Sequence, residues 1–484
     1  MRYLLALLSM FALQAHAYTY GTFTPSFGNP APTTTVYIAP RTDGLSGSGT
    51  SSDPFNANTS SKFDTLIQTY NNSSGTATVI YFATGTYTTM GWQPSNPQTA
   101  NSNVYLIGSG IDQTIVKLDP SATLEVGGNG GIVIFACDYN ERSDGFEVWN
   151  MTVDGNANNN TQFQGGTGII GLIGCQGNDV MINNDKFVGW GTKGGECSTI
   201  FIQPSALAFS GDTFSHCHLQ NCTFTSPATG NGDGCSIACV AADNTVTVVD
   251  WEILNNTFTN VSSDFSYSHA LCGEYMSGNT VNGCEDGFYA EPGSGSGAGT
   301  NNVDPIIITG NTFENVQFGV AMNFHTNGLL GPVTVTNNNF QLVNSSSVFS
   351  AGINLQGATP TTNPAMTSIT CIGNTFIGLG QGLTDPSYYR CVYLDGATAE
   401  IVGTVYIDNN LVNVNTNSSQ EFEVTTTDVG ALKFCSNTYH NGSSISVVAW
   451  TGSFIACYPE VPGALSTIKF QTPGAPGTLS TTKQ

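Results

Sequence analysis

The stretch IIITGNTF at residues 306–313 joins a β-branched run to a short polar turn and an aromatic residue. Its last four residues return as NNTF at 255–258, NNNF at 337–340 and GNTF at 373–376. Looser copies are NCTF at 221–224, GNTV at 278–281, DNNL at 408–411 and SNTY at 436–439, so the phrase recurs every 23 to 36 residues. A phrase repeated at this period indicates a solenoid, and short strands between Asn/Gly turns indicate a β-solenoid.

The composition agrees with stacked β-coils. Charged residues make up 9% of the 484-residue chain, against about 25% in typical globular proteins. Uncharged polar side chains can stack in register from coil to coil, whereas like charges repel one another. Aromatic residues, at 10%, and the regular Val/Ile runs argue against disorder.

The charge balance restricts the partners of the chain. The formal net charge is −23, with only 11 Lys and Arg residues. Such a surface repels polyanions, which argues against nucleic acid and pectate as ligands. A neutral polysaccharide is not repelled. No cofactor motif is recognised, although an acidic surface is compatible with a bound calcium ion.

The first 17 residues read as a secretory signal peptide. Arg2 supplies the positive charge, Leu4 to Leu13 the apolar core, and Ala15-His16-Ala17 a small-x-small cleavage site. No later stretch has the roughly 18 uninterrupted apolar residues of a membrane span. The sequence therefore predicts a secreted protein, extracellular or periplasmic, that begins near Tyr18 and has no membrane span.

Thirteen cysteines occur in the chain. Export permits disulfides, and the pairs Cys217/Cys222 and Cys235/Cys239 are close enough in sequence to form them. The alternative is that several cysteines are small apolar residues stacked inside the coil. No Cys/His spacing typical of a zinc site is present.

We divide the mature chain into a leader at 18–35, a repeat region at 36–458 and a tail at 459–484, which lacks the repeat phrase and is expected to be extended. Apolar residues at 63, 66, 67 and 70 predict one amphipathic helix. Ser60 or Ser61 is the expected N-cap. We expect this helix to cover the open end of the solenoid.

Three features together resemble the right-handed parallel β-helix proteins of the pectate-lyase-like superfamily. They are the repeated phrase, the opening strand–Gly/Ser loop–helix, and the IGSG turn at 107–110. The resemblance covers roughly residues 36 to 455 and implies an all-β fold, a single parallel β-helix. The superfamily includes polysaccharide lyases, glycoside hydrolases, phage tailspikes and adhesins, so the fold does not choose an activity.

The catalytic motifs of that superfamily are missing from the sequence. Its pectate lyases use arginine and lysine beside acidic calcium ligands, but residues 194–389 contain neither Lys nor Arg, and Arg390 follows alone. Its polygalacturonase-like hydrolases carry an Asp-Asp pair and an Arg-Ile-Lys motif, and neither occurs here. The resemblance therefore supplies no catalytic residue.

A second repeated strand reads GFYAE at 287–291, GVAMN at 319–323, GINLQ at 352–356 and CVYLD at 391–395. Side chains of a strand alternate between its two faces. If the shared apolar residues point inward, two columns point outward. We call these columns the outer stripe: Glu291, Asn323, Gln356 and Asp395 in one, and Tyr289, Ala321, Asn354 and Tyr393 in the other.

The outer stripe has the chemistry of a carbohydrate site, because amides and acids bind hydroxyls and aromatic faces cover sugar rings. Coils lie about 4.8 Å apart. Carboxylates one coil apart approach the roughly 5–5.5 Å of retaining glycosidases, and two coils apart the roughly 6.5–9.5 Å of inverting ones. The candidate catalytic acids are Glu274, Asp286 and Glu291, with Glu274 expected to extend the acidic column. The candidate substrate-binding residues are His269, Tyr289, Asn323, His325, Asn354, Gln356, Tyr393 and Asp395.

Two functions remain open at this stage. The first is a secreted enzyme, a glycoside hydrolase more than a lyase, that cleaves a neutral or weakly charged polysaccharide. The second is a non-catalytic β-helix that binds glycans or partner proteins as an adhesive surface. The alternative for each acid is an ordinary solvated residue on a sheet face.

Overall fold

The computed structural model describes part of the chain. The described residues are 18–70, 76–91, 102–123, 131–136, 142–160, 169–175, 177–192, 197–202, 213–225, 234–239, 247–260, 266–268, 271–284, 286–290, 305–324, 329–342, 349–357, 365–377, 389–395, 400–413, 420–424, 428–435, 437–439, 444–448, 453–457, 467–471 and 479–482. The predicted signal peptide lies outside them.

The described residues form 44 strands, one α-helix, α1 (Ser60–Tyr70), and one 3-10 helix (Ala157–Asn159). The strands of the first half are β1 (Thr34–Ala39), β2 (Phe55–Asn56), β3 (Thr78–Phe82), β4 (Gly85–Thr89), β5 (Val104–Ile107), β6 (Thr114–Leu118), β7 (Gly131–Ala136), β8 (Glu147–Trp149), β9 (Thr152–Asp154), β10 (Ile169–Cys175), β11 (Val180–Asn183), β12 (Lys186–Val188), β13 (Gly191–Thr192), β14 (Cys197–Ile202), β15 (Thr213–Phe214), β16 (Cys217–Gln220), β17 (Thr223–Thr225), β18 (Gly234–Cys239), β19 (Thr247–Leu254), β20 (Thr257–Thr259) and β21 (Ser266–Ser268). Those of the second half are β22 (Leu271–Ser277), β23 (Thr280–Asn282), β24 (Asp286–Ala290), β25 (Ile306–Thr309), β26 (Thr312–Val316), β27 (Phe318–Phe324), β28 (Leu329–Leu330), β29 (Val333–Thr336), β30 (Asn339–Leu342), β31 (Ser350–Gly357), β32 (Ala365–Met366), β33 (Ile369–Ile372), β34 (Thr375–Ile377), β35 (Tyr389–Asp395), β36 (Glu400–Asp408), β37 (Leu411–Asn413), β38 (Gln420–Val424), β39 (Asp428–Cys435), β40 (Thr438–Tyr439), β41 (Ser444–Val448), β42 (Ser453–Cys457), β43 (Thr467–Gln471) and β44 (Leu479–Thr482).

The strands form a right-handed parallel β-helix, as predicted. Each coil passes from sheet 1, with 19 strands, to sheet 2, with 12, and then to a third side, which consists of sheet 3 (β24, β27, β31, β35, β38, β41, β43) and the 6-stranded sheet 4. Strand pairings within the described chain are parallel except for β10 with β13. The tail, expected to be extended, contributes β43 and β44, which pair with β41 and β42.

The repeated phrase is the turn between sheets 1 and 2. Its first position has a left-handed backbone, as at Asn255 (φ 54°) and Gly310 (φ 66°), and its second is a buried asparagine in the copies listed above, except at Cys222 and in the copy at 408–411, where the buried asparagine is the third residue, Asn410. Asn338, for example, donates Nδ2 to Asn374 Oδ1 at 3.1 Å and to the Ile308 carbonyl at 2.9 Å. We call this row the asparagine ladder: Asn256, Asn279, Asn311, Asn338, Asn374, Asn410 and Asn437.

The last position of the phrase faces the interior. Phe258, Phe313, Phe340 and Phe376 are all fully buried, as predicted. Phe340 stacks between Phe313 and Phe376, with ring centroids 5.0 and 5.1 Å apart. Val281 takes the place of Phe in the coil after Phe258 and interrupts the stack. On its other side Phe258 stacks on Phe224, with ring centroids 4.6 Å apart.

The predicted helix is confirmed at Ser60–Tyr70. Its N-cap is Thr59, not Ser60 or Ser61, because the helix begins at Ser60 and Thr59 Oγ1 accepts the Lys62 N–H at 3.4 Å. Phe63 and Ile67 are buried at the first coils. The helix therefore covers apolar residues at this end of the solenoid, as expected.

The leader crosses the outer side of sheet 1. Tyr20 packs edge-on against Tyr37 at 4.7 Å, and Phe23 lies 5.0 Å from Tyr105. The Tyr105 hydroxyl donates to the Pro30 carbonyl at 2.8 Å. We call residues 18–30 the strap, because they hold the outer side of the first coils together.

Cys217 and Cys222 are buried thiols and form no disulfide. Cys217 Sγ donates to the Gly177 carbonyl at 3.4 Å, and Cys222 Sγ to the Gln220 carbonyl at 3.2 Å. For this pair the apolar, interior alternative is correct. The side chains of Cys235 and Cys239 lie outside the described part.

Candidate functional site

The outer stripe lies on sheet 3, and its predicted register is present in the backbone. Tyr289 pairs with Ala321, Ala321 with Asn354, and Asn354 with Tyr393. In the second column Asn323 pairs with Gln356 and Gln356 with Asp395. Residues in the same register position of neighbouring strands form a continuous row.

A column of glycines positions these strands. A Cβ atom added to Gly287, Gly319 or Gly352 would lie 2.3–2.4 Å from a ring carbon of Phe313, Phe340 or Phe376. Only glycine, which has no side chain, lets the backbone of the sheet 3 strands lie so close to the stacked rings. The repeated glycine thus fixes where the outer stripe begins in each coil.

Side-chain contacts connect the two columns. Gln356 Nε2 donates to Asn354 Oδ1 at 2.9 Å. Asn354 is only 6% exposed, whereas Gln356, Tyr289 and Tyr393 are partly exposed. The accessible polar and aromatic groups of the stripe are therefore the tyrosines and Gln356.

An aromatic cluster that sequence reasoning did not identify flanks the stripe. The Phe349 ring meets Tyr393 edge-on at 5.1 Å and lies 6.0 Å from Phe318. The Arg390 guanidinium lies over the Phe349 ring, 5.9 Å from its centroid. The lone arginine of the central coils is therefore beside the stripe, and it is 8% exposed.

Of the three candidate acids, Glu274 is placed differently from the expectation. It lies in β22 of sheet 1, in register with Trp251 and Ile306, and is 3% exposed. The expectation that Glu274 extends the acidic column was wrong. Asp286 begins β24 of sheet 3, in register with Phe318, and is 8% exposed.

Several candidates fall outside the described chain. Glu291, His269 and His325 lie outside it, and for Asn323 and Asp395 the structure describes the backbone position only. Their catalytic and binding roles stay predictions. So does the catalytic role of Asp286.

A second group of ionisable side chains, on the outer side of sheet 1, was not found in the sequence. His216 Nδ1 lies 2.7 Å from Asp179, and its Nε2 lies 3.4 Å from Asp250. His218 Nδ1 lies 3.3 Å from Glu252. We call these five residues the histidine cluster. Across the described part of the chain, no three His, Cys, Asp or Glu residues are arranged to hold a metal ion.

Burial perturbs two members of the cluster. It lowers the pKa of His218 to about 4, with the neighbouring His216 as a further cause. It also raises the pKa of Glu252, to which the charge of Asp250 adds. The low pKa favours the neutral form of the His218 ring at neutral pH, so its contact with Glu252 is not an ion pair there.

Comparison with known proteins gave solved structures only. No family model matches the chain. No curated protein matches it either. Several solved structures are similar to it, among them the following three. An exopolygalacturonase of family 28 from Yersinia enterocolitica has 11% identity and a TM-score of 0.47, over 83% of this chain and 73% of that one. The A-module of a mannuronan C-5 epimerase from Azotobacter vinelandii has 13% identity and a TM-score of 0.32, over 86% and 95%. A tailspike protein of an E. coli bacteriophage, in complex with a pentasaccharide, has 12% identity and a TM-score of 0.35, over 85% and 74%. At these scores the similarities carry no argument about the ligand of this chain.

No helix in the described ranges is long and apolar enough to cross a membrane.

Proposed function

We propose that the chain is a secreted carbohydrate-active protein that binds a neutral or weakly charged polysaccharide along the outer stripe. The observation that carries the proposal is the row Tyr289, Asn354 and Tyr393, which is in register over sheet 3, with Gln356 bonded beside it. Tyrosine rings cover the apolar faces of sugars, while amides exchange hydrogen bonds with their hydroxyls.

The charge of the chain supports a neutral substrate. The net charge is −23 and Arg390 is the one Lys or Arg between residues 194 and 432. Because Arg390 is nearly buried against Phe349, the stripe offers little positive charge to a uronate chain. A polyuronate would be repelled by the surface as a whole.

Cleavage is the finer part of the proposal, with Glu291 as the catalytic carboxylate. Alternation along the strand predicts that Glu291 shares a column with Gln356, whose side chain is partly exposed. A carboxylate there would lie beside a sugar ring stacked on Tyr289. In a hydrolase it would act as general acid or nucleophile.

Binding without cleavage is the alternative, and one observation favours it. Glu274 and Asp286, the two described acids among the candidates, are 3% and 8% exposed. A retaining or inverting glycosidase needs two carboxyl groups that reach the scissile bond. Asp395 is expected three coils from Glu291, too far for such a pair, so without a nearer second acid the surface binds glycan only.

Reducing-sugar release and affinity electrophoresis on one panel of glycans separate the two functions. The panel would hold neutral glucans, xylans and mannans, with polygalacturonate as the charged comparison. Release of reducing ends from a neutral glycan supports hydrolysis, and retardation without release supports binding alone. Neither effect with any neutral glycan would contradict the proposal.

A further inference from the structure

The far end of the strap is anchored between the two histidines of the histidine cluster. The Phe27 ring stacks on His216, with centroids 5.7 Å apart and planes 13° apart, and meets His218 edge-on at 4.6 Å. Phe27 itself has a left-handed backbone, with φ at 52°. This conformation costs a non-glycine residue roughly 1–2 kcal/mol, so contacts of the ring must hold it.

A buried carboxylate forms the second anchor. Glu147 is fully buried and accepts Ser26 N–H at 2.9 Å, Ser26 Oγ at 3.1 Å and Asn29 Nδ2 at 2.9 Å. Trp149 Nε1 donates to the same carboxylate, also at 2.9 Å. Because three of these donors belong to the strap, its removal would expose Glu147 and the Trp149 ring, on which Phe23 packs at 5.9 Å.

Titratable groups lie on both sides of Phe27. On the coil side they are His216, held by Asp179 and Asp250, and His218, held by Glu252. Glu147 lies under the strap. A protonated His218 under an aromatic ring would lose much of its hydration, whereas a protonated Glu147 would lose less than an ionised one.

We propose that the strap is a proton-operated closure: it lies on sheet 1 while His218 is neutral and is released when that ring is protonated. Release would uncover the aromatic row of Tyr105 and Trp149 on the outer side of the first coils. The device is independent of the outer stripe, which lies on a different sheet.

The sign follows from the pKa of each group in the closed state. Burial lowers the pKa of His218 to about 4, and an exposed histidine has a pKa of about 6.5. The closed state therefore binds fewer protons, and its advantage is full above pH 6.5 and lost as pH falls towards 4. Through His218 alone, the closing equilibrium should weaken by at most roughly a hundredfold over that range.

Two carboxyl groups oppose this effect. Burial is the main cause that raises the pKa of Glu147 and of Glu252, so acid favours the closed state through them. Hydrogen bonds from Asn29 and Ser26 lower the pKa of Glu147 and reduce its share. The larger displacement at His218 sets the net direction, which is release in acid.

Hydrogen exchange followed by mass spectrometry, on the chain from Tyr18 onward and from pH 7 to pH 4, tests the closure. Rates would be corrected with an unstructured peptide of the strap sequence, and a peptide from β25 would report the integrity of the coils. We expect protection of residues 18–30 to fall as the pH is lowered, by up to roughly a hundredfold, while β25 stays protected. Constant protection of the strap down to pH 4 would overturn the proposal.

His218→Gln is the decisive variant, because glutamine keeps a polar group beside Glu252 but takes up no proton. The strap of this variant should stay protected at pH 4. Equal loss of protection in the variant and the natural protein would also overturn the proposal. Phe27→Ala is the matched control: it should release the strap at pH 7 as well, with unchanged protection of β25. If His218→Gln does not fold, the proposal is still tested by two measurements. They are the pH dependence of strap protection in the natural protein and the protection of the strap in Phe27→Ala at pH 7.

Discussion

Asp185 accepts the backbone N–H of Met151 at 2.8 Å, from the position that asparagine holds in the later coils. It is fully buried, and its Oδ2 has no hydrogen-bond partner within the described chain. Burial raises the pKa of this carboxyl well above its ordinary value. Asp185 thus holds the ladder position two coils before Asn256, with Cys222 between them, and it is most stable there as a neutral acid.

Asp185→Asn should stabilise the protein at neutral pH. The native carboxyl holds its proton to a higher pH than the unfolded one, so stability is lost as pH rises above about 4, the ordinary value. Asparagine has no such loss. By the pattern of Asn256, which donates to the Leu219 carbonyl at 3.0 Å, the new amide nitrogen would reach the Val148 carbonyl and contribute about 1 kcal/mol.

Urea unfolding followed by circular dichroism at pH 5 and pH 8 measures this effect. The variant should have the higher midpoint, by more at pH 8 than at pH 5. Asn374→Asp is the reverse control and should introduce the same pH dependence with a lower midpoint. A lower midpoint for Asp185→Asn at pH 8 would show that the ladder does not need an amide there.

Phe313→Ala should lower the free energy of unfolding by about 3–5 kcal/mol, the usual loss for a buried phenylalanine. The ring is fully buried and stacks on Phe340 at 5.0 Å. Ile377→Ala is the control, because Ile377 is 38% exposed on the same sheet, and we expect it to cost less than about 1 kcal/mol. Equal midpoints in chemical denaturation would place the phenylalanine stack outside the stabilising core.

Gly319→Ala should destabilise the coil and weaken glycan binding together. The added methyl group would lie 2.3 Å from Phe340 and 2.6 Å from the Gly352 carbonyl, which belongs to the backbone and cannot turn away. The expected cost is about 1–3 kcal/mol. Gly310→Ala separates the two effects: it meets no atom within 4 Å but has φ at 66°, so it should cost about 1 kcal/mol and leave binding unchanged. Equal binding by both variants would remove the link between the glycine column and the stripe.

The fold could be predicted because one local rule repeats. A left-handed residue, a ladder asparagine and a core aromatic residue are all set by their immediate neighbours, so the phrase carries its own structure. The register of Asn354 with Tyr393 also followed from alternation along the strands. The strap carries no repeat, and its contacts with Glu147 and the histidine cluster depend on residues over a hundred positions away.

The misplaced Glu274 shows what the sequence already contained. It precedes the ladder residue Asn279 by five positions, as Ile306 precedes Asn311, and Ile306 lies in sheet 1. Asp179, His216 and Asp250 each precede the ladder position of their own coil by six residues. Counting back from that position therefore places these three residues in one row. Counting from the ladder, and not from the apolar pattern of one strand, would have predicted both the position of Glu274 and the histidine cluster.

Glu291→Gln should abolish most hydrolysis and leave the unfolding midpoint nearly unchanged. The amide keeps the shape of the side chain but supplies neither a proton nor a negative charge. Reducing-sugar release under saturating glycan measures this, with Glu314→Gln on sheet 2 as the matched control. Undiminished turnover in Glu291→Gln would leave the stripe as a binding surface only.

Glycan affinity of Tyr393→Ala against Tyr275→Ala tests the central claim, that the outer stripe binds polysaccharide. Tyr393 lies on the stripe against Phe349 at 5.1 Å, and Tyr275 is an exposed tyrosine, 37% accessible, on sheet 1. Isothermal titration with the neutral glycan that the panel selects should show about a tenfold weaker Kd for Tyr393→Ala and no change for Tyr275→Ala. Equal affinity of Tyr393→Ala and the natural protein, or a loss confined to Tyr275→Ala, would contradict the account.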